Sequence, residues 1–194
     1  MNLSEIPETL GGGERVYLKL LTEEDSLALF SLVQTSRDFL KEWLPWPENM
    51  NSAAEAAHYI EPYLFQREMD NGALWGIYRK ESDTLLGTVC LQWFSPEHLS
   101  GSLGYWMGEP YIKQGFAAEA LFLLCDFLFN SLKINRLELS IACENKASLA
   151  LAEHLGFIRE GLKRDFERRN GRFQDHYSLA LLALDFVYKK KRFE

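Results

Sequence analysis

The sequence predicts a mixed α/β domain, and three observations carry that prediction. Short segments that alternate or are continuously apolar recur at residues 15–20, 75–79, 85–93, 102–107 and Arg136–Ala142, in the manner of strands. Segments with helix-start and helix-stop residues lie between them. The longest of these, residues 115–130, is apolar on nearly every side, so its helix belongs inside, against a sheet. At 194 residues, 47% hydrophobic and 13% aromatic, the chain has enough apolar content for one domain with its own core.

The elements follow in order. Gly11-Gly12-Gly13 separates a flexible leader, 1–13, from the domain, 14–186. Residues 15–20 alternate as the first strand. Thr22 caps a helix with Glu23, Glu24 and Asp25 in its first turn. Leu27, Phe30 and Val33 mark that helix's buried face. Pro45 and Pro47 then break regular structure. Ser52 and Glu55 form a capping box for a second helix reaching about Asn71. Three strands follow as a meander, then the apolar helix, the strand Arg136–Ala142 and the helix Lys146–Leu155, which Gly156 ends in a left-handed cap. Residues 157–163 and 175–184 form a closing strand pair around the hairpin signal Asn170-Gly171. A basic tail, 187–194, holds Lys189, Lys190, Lys191 and Arg192.

Charge and composition exclude several function classes. A net charge of −7 argues against sequence-independent nucleic-acid binding, which needs a basic surface. No apolar run reaches the length of a membrane span, and the first residues lack the layout of a signal peptide, so a cytoplasmic protein is expected. Cys90, Cys125 and Cys143 are odd in number and show no C-x-x-C spacing, which fits buried free thiols in a reducing compartment. His58, His98, His154 and His176 are scattered, and no metal is assigned.

The densest chemistry lies in Gly104-Tyr105-Trp106-Met107-Gly108-Glu109-Pro110-Tyr111-Ile112-Lys113-Gln114-Gly115-Phe116-Ala117-Ala118-Glu119. A strand enters a turn, and a loop of small residues opens the long helix. First-turn amides have no partner within a helix. Small residues at Gly115, Ala117 and Ala118 allow a ligand to approach them, and the helix dipole adds positive charge. Such a loop can cradle a diphosphate; it can also be a tight strand-to-helix turn with no ligand. Downstream stand Asn145-Lys146-Ala147-Ser148 and Leu155-Gly156-Phe157. Asn145 is a strong cap residue, and capping alone would account for it. Ser148 faces the same way. Its hydroxyl is either an ordinary solvated one or a donor to negative charge developing at the helix start.

Taken together, in this order and on these elements, the two motifs resemble the signatures of the GNAT superfamily of N-acetyltransferases. The first family pattern is Gln/Arg-x-x-Gly-x-Gly/Ala, here Ile112-Lys113-Gln114-Gly115-Phe116-Ala117; the second is Asn-x-x-Ser followed by Leu-Gly-Phe. This chain has Ile112 in place of the pattern's Gln/Arg and Lys113 in place of the glycine that often follows it. The resemblance spans residues 15–184. It implies the acyl-coenzyme A N-acyltransferase fold, a mixed central sheet flanked by helices, with acetyl-coenzyme A as cosubstrate and no metal. It sets Trp106, Met107, Gln114, Gly115, Phe116, Ala117, Ala118 and Asn145 against the coenzyme. A main-chain N–H near Trp106 or Met107 would take the oxyanion, and Ser148 the leaving thiolate.

Leu40-Lys41-Glu42-Trp43-Leu44-Pro45-Trp46 is similar to the Leu-x-x-Trp-Leu-Pro-Trp segment of the RimJ/RimL-type group, which acetylates N-terminal amines of ribosomal proteins. Physically it is an aromatic wall beside an acceptor channel, or a surface loop pinned by Trp43 and Trp46. Residues 161–167 and Asp175-His176-Tyr177 also resemble that group, and the alignment makes Glu167 the base, with Glu138 the second candidate. Glu167 can equally be one charge in a mixed run. An ammonium has no lone pair, so some base must take its proton. An N-terminal amine, with a pKa of about 7.7–8.0, needs less help than a lysine at about 10.4. Lys163, Arg164, Arg168, Arg169 and Arg172 read first as a solvated hairpin surface and second as a contact for an acidic acceptor or the phosphates. The expected partner is thus a protein or peptide N-terminus, a ribosomal protein among the candidates, and a homodimer is compatible with the resemblance. A small-amine acetyltransferase and a coenzyme-binding module without turnover are the alternatives.

Overall fold

In the computed structural model, which describes residues 3–169 and 171–190, the chain runs β1 (Thr9–Leu10), β2 (Val16–Leu20), α1 (Ser26–Leu40), α2 (Ala53–Glu68), β3 (Ala73–Arg79), β4 (Thr84–Ser95), β5 (Ser100–Met107), α3 (Phe116–Asn130), β6 (Arg136–Ala142), α4 (Lys146–Leu155), β7 (Ile158–Arg169), β8 (Arg172–Leu182) and α5 (Ala183–Lys190). The strands form one sheet in the order β1-β2-β3-β4-β5-β6-β8-β7. Every neighbouring pair is antiparallel except β5 and β6. This is the mixed α/β architecture the sequence predicts.

Helices cover both faces and make two cores. On one side α3 and α4 bury Phe116, Leu121, Leu124, Leu128 and Leu149 against Val89, Leu137, Leu139 and Leu179. On the other, α1 and α2 bury Leu29, Val33, Ala56 and Ile60 against Leu74, Cys90 and Trp106. The apolar α3 is the central helix of the first core, as its composition requires.

Local chemistry explains most boundaries. Thr22 caps the 3-10 turn Glu23–Asp25 rather than α1 itself, which begins at Ser26. The buried face of α1 is Leu29, Leu32, Val33, Ser36 and Leu40. Of the expected stripe Leu27 is 65% exposed, because residues six apart in an α-helix lie about 120° apart around its axis, so Leu27 and Val33 do not share a face. Asp25 is buried at this junction and accepts from the Thr22 N–H, the Tyr78 hydroxyl and the Lys19 ammonium. Burial works to raise its pKa, but those donors more than offset it and hold the carboxyl below its ordinary range. Ser52 caps α2 by accepting from the Glu55 N–H at 3.3 Å, while the Glu55 carboxylate reaches back to the Asn51 N–H. Gly156 ends α4 at φ +100, in the left-handed cap the sequence predicts.

Two expectations about the ends change. The leader is not a free segment: β1 pairs with β2, and Leu3, Ile6 and Leu10 are buried in the first core. Their apolar side chains hold the strap on the sheet despite the glycines that follow. The expected boundary at 186/187 falls inside α5, whose Phe186 packs against Phe122 and Phe129 with ring centroids 5.2 Å away in each case. Lys191 and Arg192 of the expected tail, and Asn170 of the hairpin signal, lie outside the described residues.

The parallel β5–β6 ladder is short. It pairs Ser100 with Arg136, Gly101 with Leu137 and Ser102 with Glu138. Beyond those pairs β5 continues to Met107 and β6 to Ala142 with no ladder between them, so the sheet opens as a fork. α3 follows β5 and α4 follows β6, so both helices begin at the open end. Crevices at the carboxyl ends of parallel strands, facing helix N-termini, are where such sheets bind ligands.

Candidate active site

The fork's β5 edge offers main-chain donors. In the antiparallel β4–β5 ladder, residues alternate between facing β4 and facing away. The Gly108 N–H donates to the Leu86 carbonyl at 2.8 Å, and Trp106 lies opposite Thr88. Gly108 and Trp106 therefore point their amides at β4, and Tyr105 and Met107 point theirs into the fork. Of the two expected oxyanion donors, the geometry favours Met107; Trp106 contributes its side chain instead. The end of β5 is clamped from α1, where buried Ser36 accepts from the Glu109 N–H at 3.0 Å.

The cradle lies at the start of α3. Gly115 is its N-cap at φ +83, a conformation that suits glycine. None of the amides of residues 113 to 118 finds an acceptor among the described residues. They are ready for an anion. The Gln114 side chain folds back to donate to the Pro110 carbonyl at 2.8 Å, so its part in the cradle is its backbone. Ile112 packs on the first core, and Lys113 takes φ +58, a left-handed conformation at the position where the family pattern often has glycine. Glu119 puts a carboxylate in the first turn, but that charge is engaged. It accepts from the Arg15 N–H at 2.7 Å, the Val16 N–H at 3.1 Å and Arg15 Nε at 3.2 Å. This clasp ties α3 to β2, and the Arg15 guanidinium lies over the Phe116 ring.

Across the fork, the Asn145 side chain accepts from the Ser148 N–H at 3.1 Å and caps α4. Ser148 is half-buried in the first turn. Tyr105 spans from β5 to α4, its hydroxyl donating to the Ser148 carbonyl at 3.3 Å. Burial pushes the Tyr105 phenol up to about 12, so it stays protonated and remains a donor. This brace had no sequence signal beyond an aromatic residue in a strand.

A second cluster lies on the other side of the sheet. Trp46 packs on Trp106 and Tyr59, with ring centroids 5.6 and 4.6 Å away. Arg169 Nη1 donates to the Trp43 carbonyl at 3.0 Å and lies 3.5 Å from Glu167 Oε2. The Leu-x-x-Trp-Leu-Pro-Trp segment is thus both an aromatic wall, through Trp46, and an anchor for the β7–β8 hairpin, through Trp43. The basic set divides. Arg164, Arg168 and Arg172 are exposed, whereas Arg169 is only 7% exposed, which corrects its reading as a solvated surface charge. Glu138 is engaged by Arg136 Nε at 2.8 Å, at the closed end of the fork, which favours Glu167 of the two candidate bases. Among the described residues no group of His, Cys, Asp and Glu is placed to hold a metal ion, and no helix is long and apolar enough to cross a membrane.

A sheet that forks beside unpaired amides, with a hydroxyl at the next helix start, fits an acyltransferase that takes its acyl group from a bound coenzyme. Comparison with known proteins agrees: residues 15–158 match the family described as acetyltransferase (GNAT) domain, and the chain belongs to that family. It is an acetyl-coenzyme A-dependent N-acetyltransferase. It is 37% identical to the N-acetyltransferase p20 of Bacillus licheniformis, over 58% of this chain and 64% of that protein. It is 23% identical to the ribosomal-protein-serine acetyltransferase of Escherichia coli, over 87% of this chain and 93% of that one. The solved structure of RimL, a ribosomal L7/L12 alpha-N-protein acetyltransferase in complex with coenzyme A, shares the fold at a TM-score of 0.85 and 22% identity, covering 90% of this chain and 98% of that chain.

Proposed function

We propose that this enzyme acetylates the N-terminal α-amine of a protein or peptide, with a ribosomal protein as the first candidate. The observation that carries the proposal is the half-buried Glu167 carboxylate, held by Arg169 beside Trp43 on the acceptor side of the sheet. The names of the Escherichia coli and RimL relatives support the choice of acceptor. A single carboxylate suits an amine that is already about one-tenth neutral at pH 7, as an N-terminal amine is.

The residues divide the work. The amides from Gln114 to Ala118 hold the diphosphate, and Asn145 fixes the start of α4 beside the thioester arm. Glu167 takes a proton from the ammonium, directly or through one water. The amine lone pair forms the new C–N bond as the carbonyl π pair moves onto oxygen, where the Met107 N–H receives it. Collapse restores the carbonyl and breaks the C–S bond. The sulfur leaves with that electron pair and takes a proton from the Ser148 hydroxyl. The second proton of the tetrahedral nitrogen, relayed through water, restores that hydroxyl, and the proton on Glu167 passes to solvent. No covalent enzyme intermediate is needed.

Thiol release from acetyl-coenzyme A, measured with a panel of free N-terminal peptides, N-blocked lysine peptides and small amines, tests the acceptor. Release with the free N-terminal peptides alone is the expected result. Release only with small amines overturns the choice of acceptor, and coenzyme binding without any release overturns the base assignment as well.

A further inference from the structure

We propose that His176 is a positioning residue, anchored by Ser140 on one side and holding the Glu167 carboxylate on the other; this rests on Glu167 being the base. His176 stands on β8 and is 7% exposed. Its Nδ1 lies 3.3 Å from the Ser140 hydroxyl on β6, and its Nε2 lies 3.3 Å from Glu167 Oε2 on β7. The Phe166 ring covers it, with centroids 4.9 Å apart. Three strands therefore converge on one imidazole.

The register of the hairpin produces this convergence. Lys163 pairs with His176, but the next β7 partner is Glu167, opposite Gln174, so a bulge lies between them. Asp165 takes φ +50 within it, and the Asp165 N–H donates to the Asp175 carboxylate at 2.9 Å. Bulges re-aim side chains in this way.

The bonding is asymmetric. When the Ser140 hydroxyl donates to Nδ1, the ring proton sits on Nε2 and faces Glu167. Nε2 is buried and the Glu167 contact is off the direction of a hydrogen bond, with no other partner among the described residues. Contacts of this kind tighten when substrate binds. Both neighbours of the carboxylate, His176 and Arg169, approach Oε2, which leaves Oε1 for the acceptor ammonium. Burial pushes the imidazole below its ordinary pKa and Arg169 reinforces the fall, while Glu167 and the Ser140 main chain pull the other way. The ring is thus neutral at pH 7, and it orients Glu167 without neutralising it. The groups facing it are Glu167, Arg169 and Phe166 from β7 and Ser140 from β6, with the Lys163 ammonium over the Phe166 ring.

The test is a set of variants assayed for kcat, for KM of the peptide and for coenzyme A affinity. His176→Leu is expected to lower kcat about tenfold with coenzyme affinity unchanged. His176→Gln, whose amide can donate near the Nε2 position, is expected to recover most of that loss, and His176→Asn to recover little. In a Glu167→Gln background, His176→Leu is expected to change kcat less than about twofold. An unchanged rate in His176→Leu, or a full further loss in the Glu167→Gln background, overturns the proposal. Should His176→Leu fail to fold, Gln and Asn variants of equal rate overturn it. If Glu167→Gln alone runs at the wild-type rate, the base assignment itself falls; if it is slow while His176→Leu is not, only the positioning role falls.

Discussion

Replacing Glu167 by Gln is expected to lower kcat/KM about 10²-fold at pH 7, near the lower end of what general bases contribute. The reason for the lower end is the acceptor. An N-terminal amine with a pKa of about 8 supplies some neutral nucleophile unaided at pH 7, whereas a lysine at about 10.4 supplies roughly one part in 2,500. The sign of the pH dependence follows. As pH rises past about 8 the amine deprotonates without help, so the variant gains on the wild type. Initial rates from about pH 6 to about 9.5 check this. A constant ratio of variant to wild type across that range would remove Glu167 as the base. The substitution keeps the side chain's shape, so coenzyme affinity is expected to stay the same.

Ser148→Ala is expected to lower kcat by about 10-fold to 10²-fold, the equivalent of one hydrogen bond to a charged group. Coenzyme A affinity should hardly move, because Asn145 caps α4 by accepting from the Ser148 backbone N–H, which the variant keeps. The loss should shrink as pH rises above about 8.5, where a free thiolate no longer needs a proton. Single-turnover rates with equilibrium coenzyme binding separate the two effects. Equal losses in binding and turnover would make Ser148 a structural residue.

Much of this was legible in the sequence because the signals are local. Alternation marks the strands, and the loop before α3 has small residues where amides must be approached. Asn145 and Gly156 sit at the two ends of α4, where their chemistry belongs. What was not legible depends on pairing across the chain. The buried face of α1 follows the i, i+3, i+4, i+7 pattern from Leu29, and only the packing on the sheet shows which of the helix's apolar residues belong to it. The choice of Met107 over Trp106 depends on which residues face β4, which only the ladder reveals. Arg169 looks like one more surface cation until Trp43, far away in sequence, is seen to accept from it. In the sequence His176 is one of four scattered histidines, because Ser140 and Glu167 reach it only through the β6–β8 and β7–β8 registers. The strap residues Leu3, Ile6 and Leu10 were hidden by the glycines after them.

The central claim is that the coenzyme's diphosphate rests on the unpaired amides at the start of α3. Amide chemical shifts of the isotope-labelled protein, followed as coenzyme A is added, test it most directly. The expected result is that the amides of Gln114, Gly115, Phe116, Ala117 and Ala118 move downfield together and saturate with the same affinity as turnover requires. Saturation with these amides unmoved, and others shifted in their place, would contradict the account.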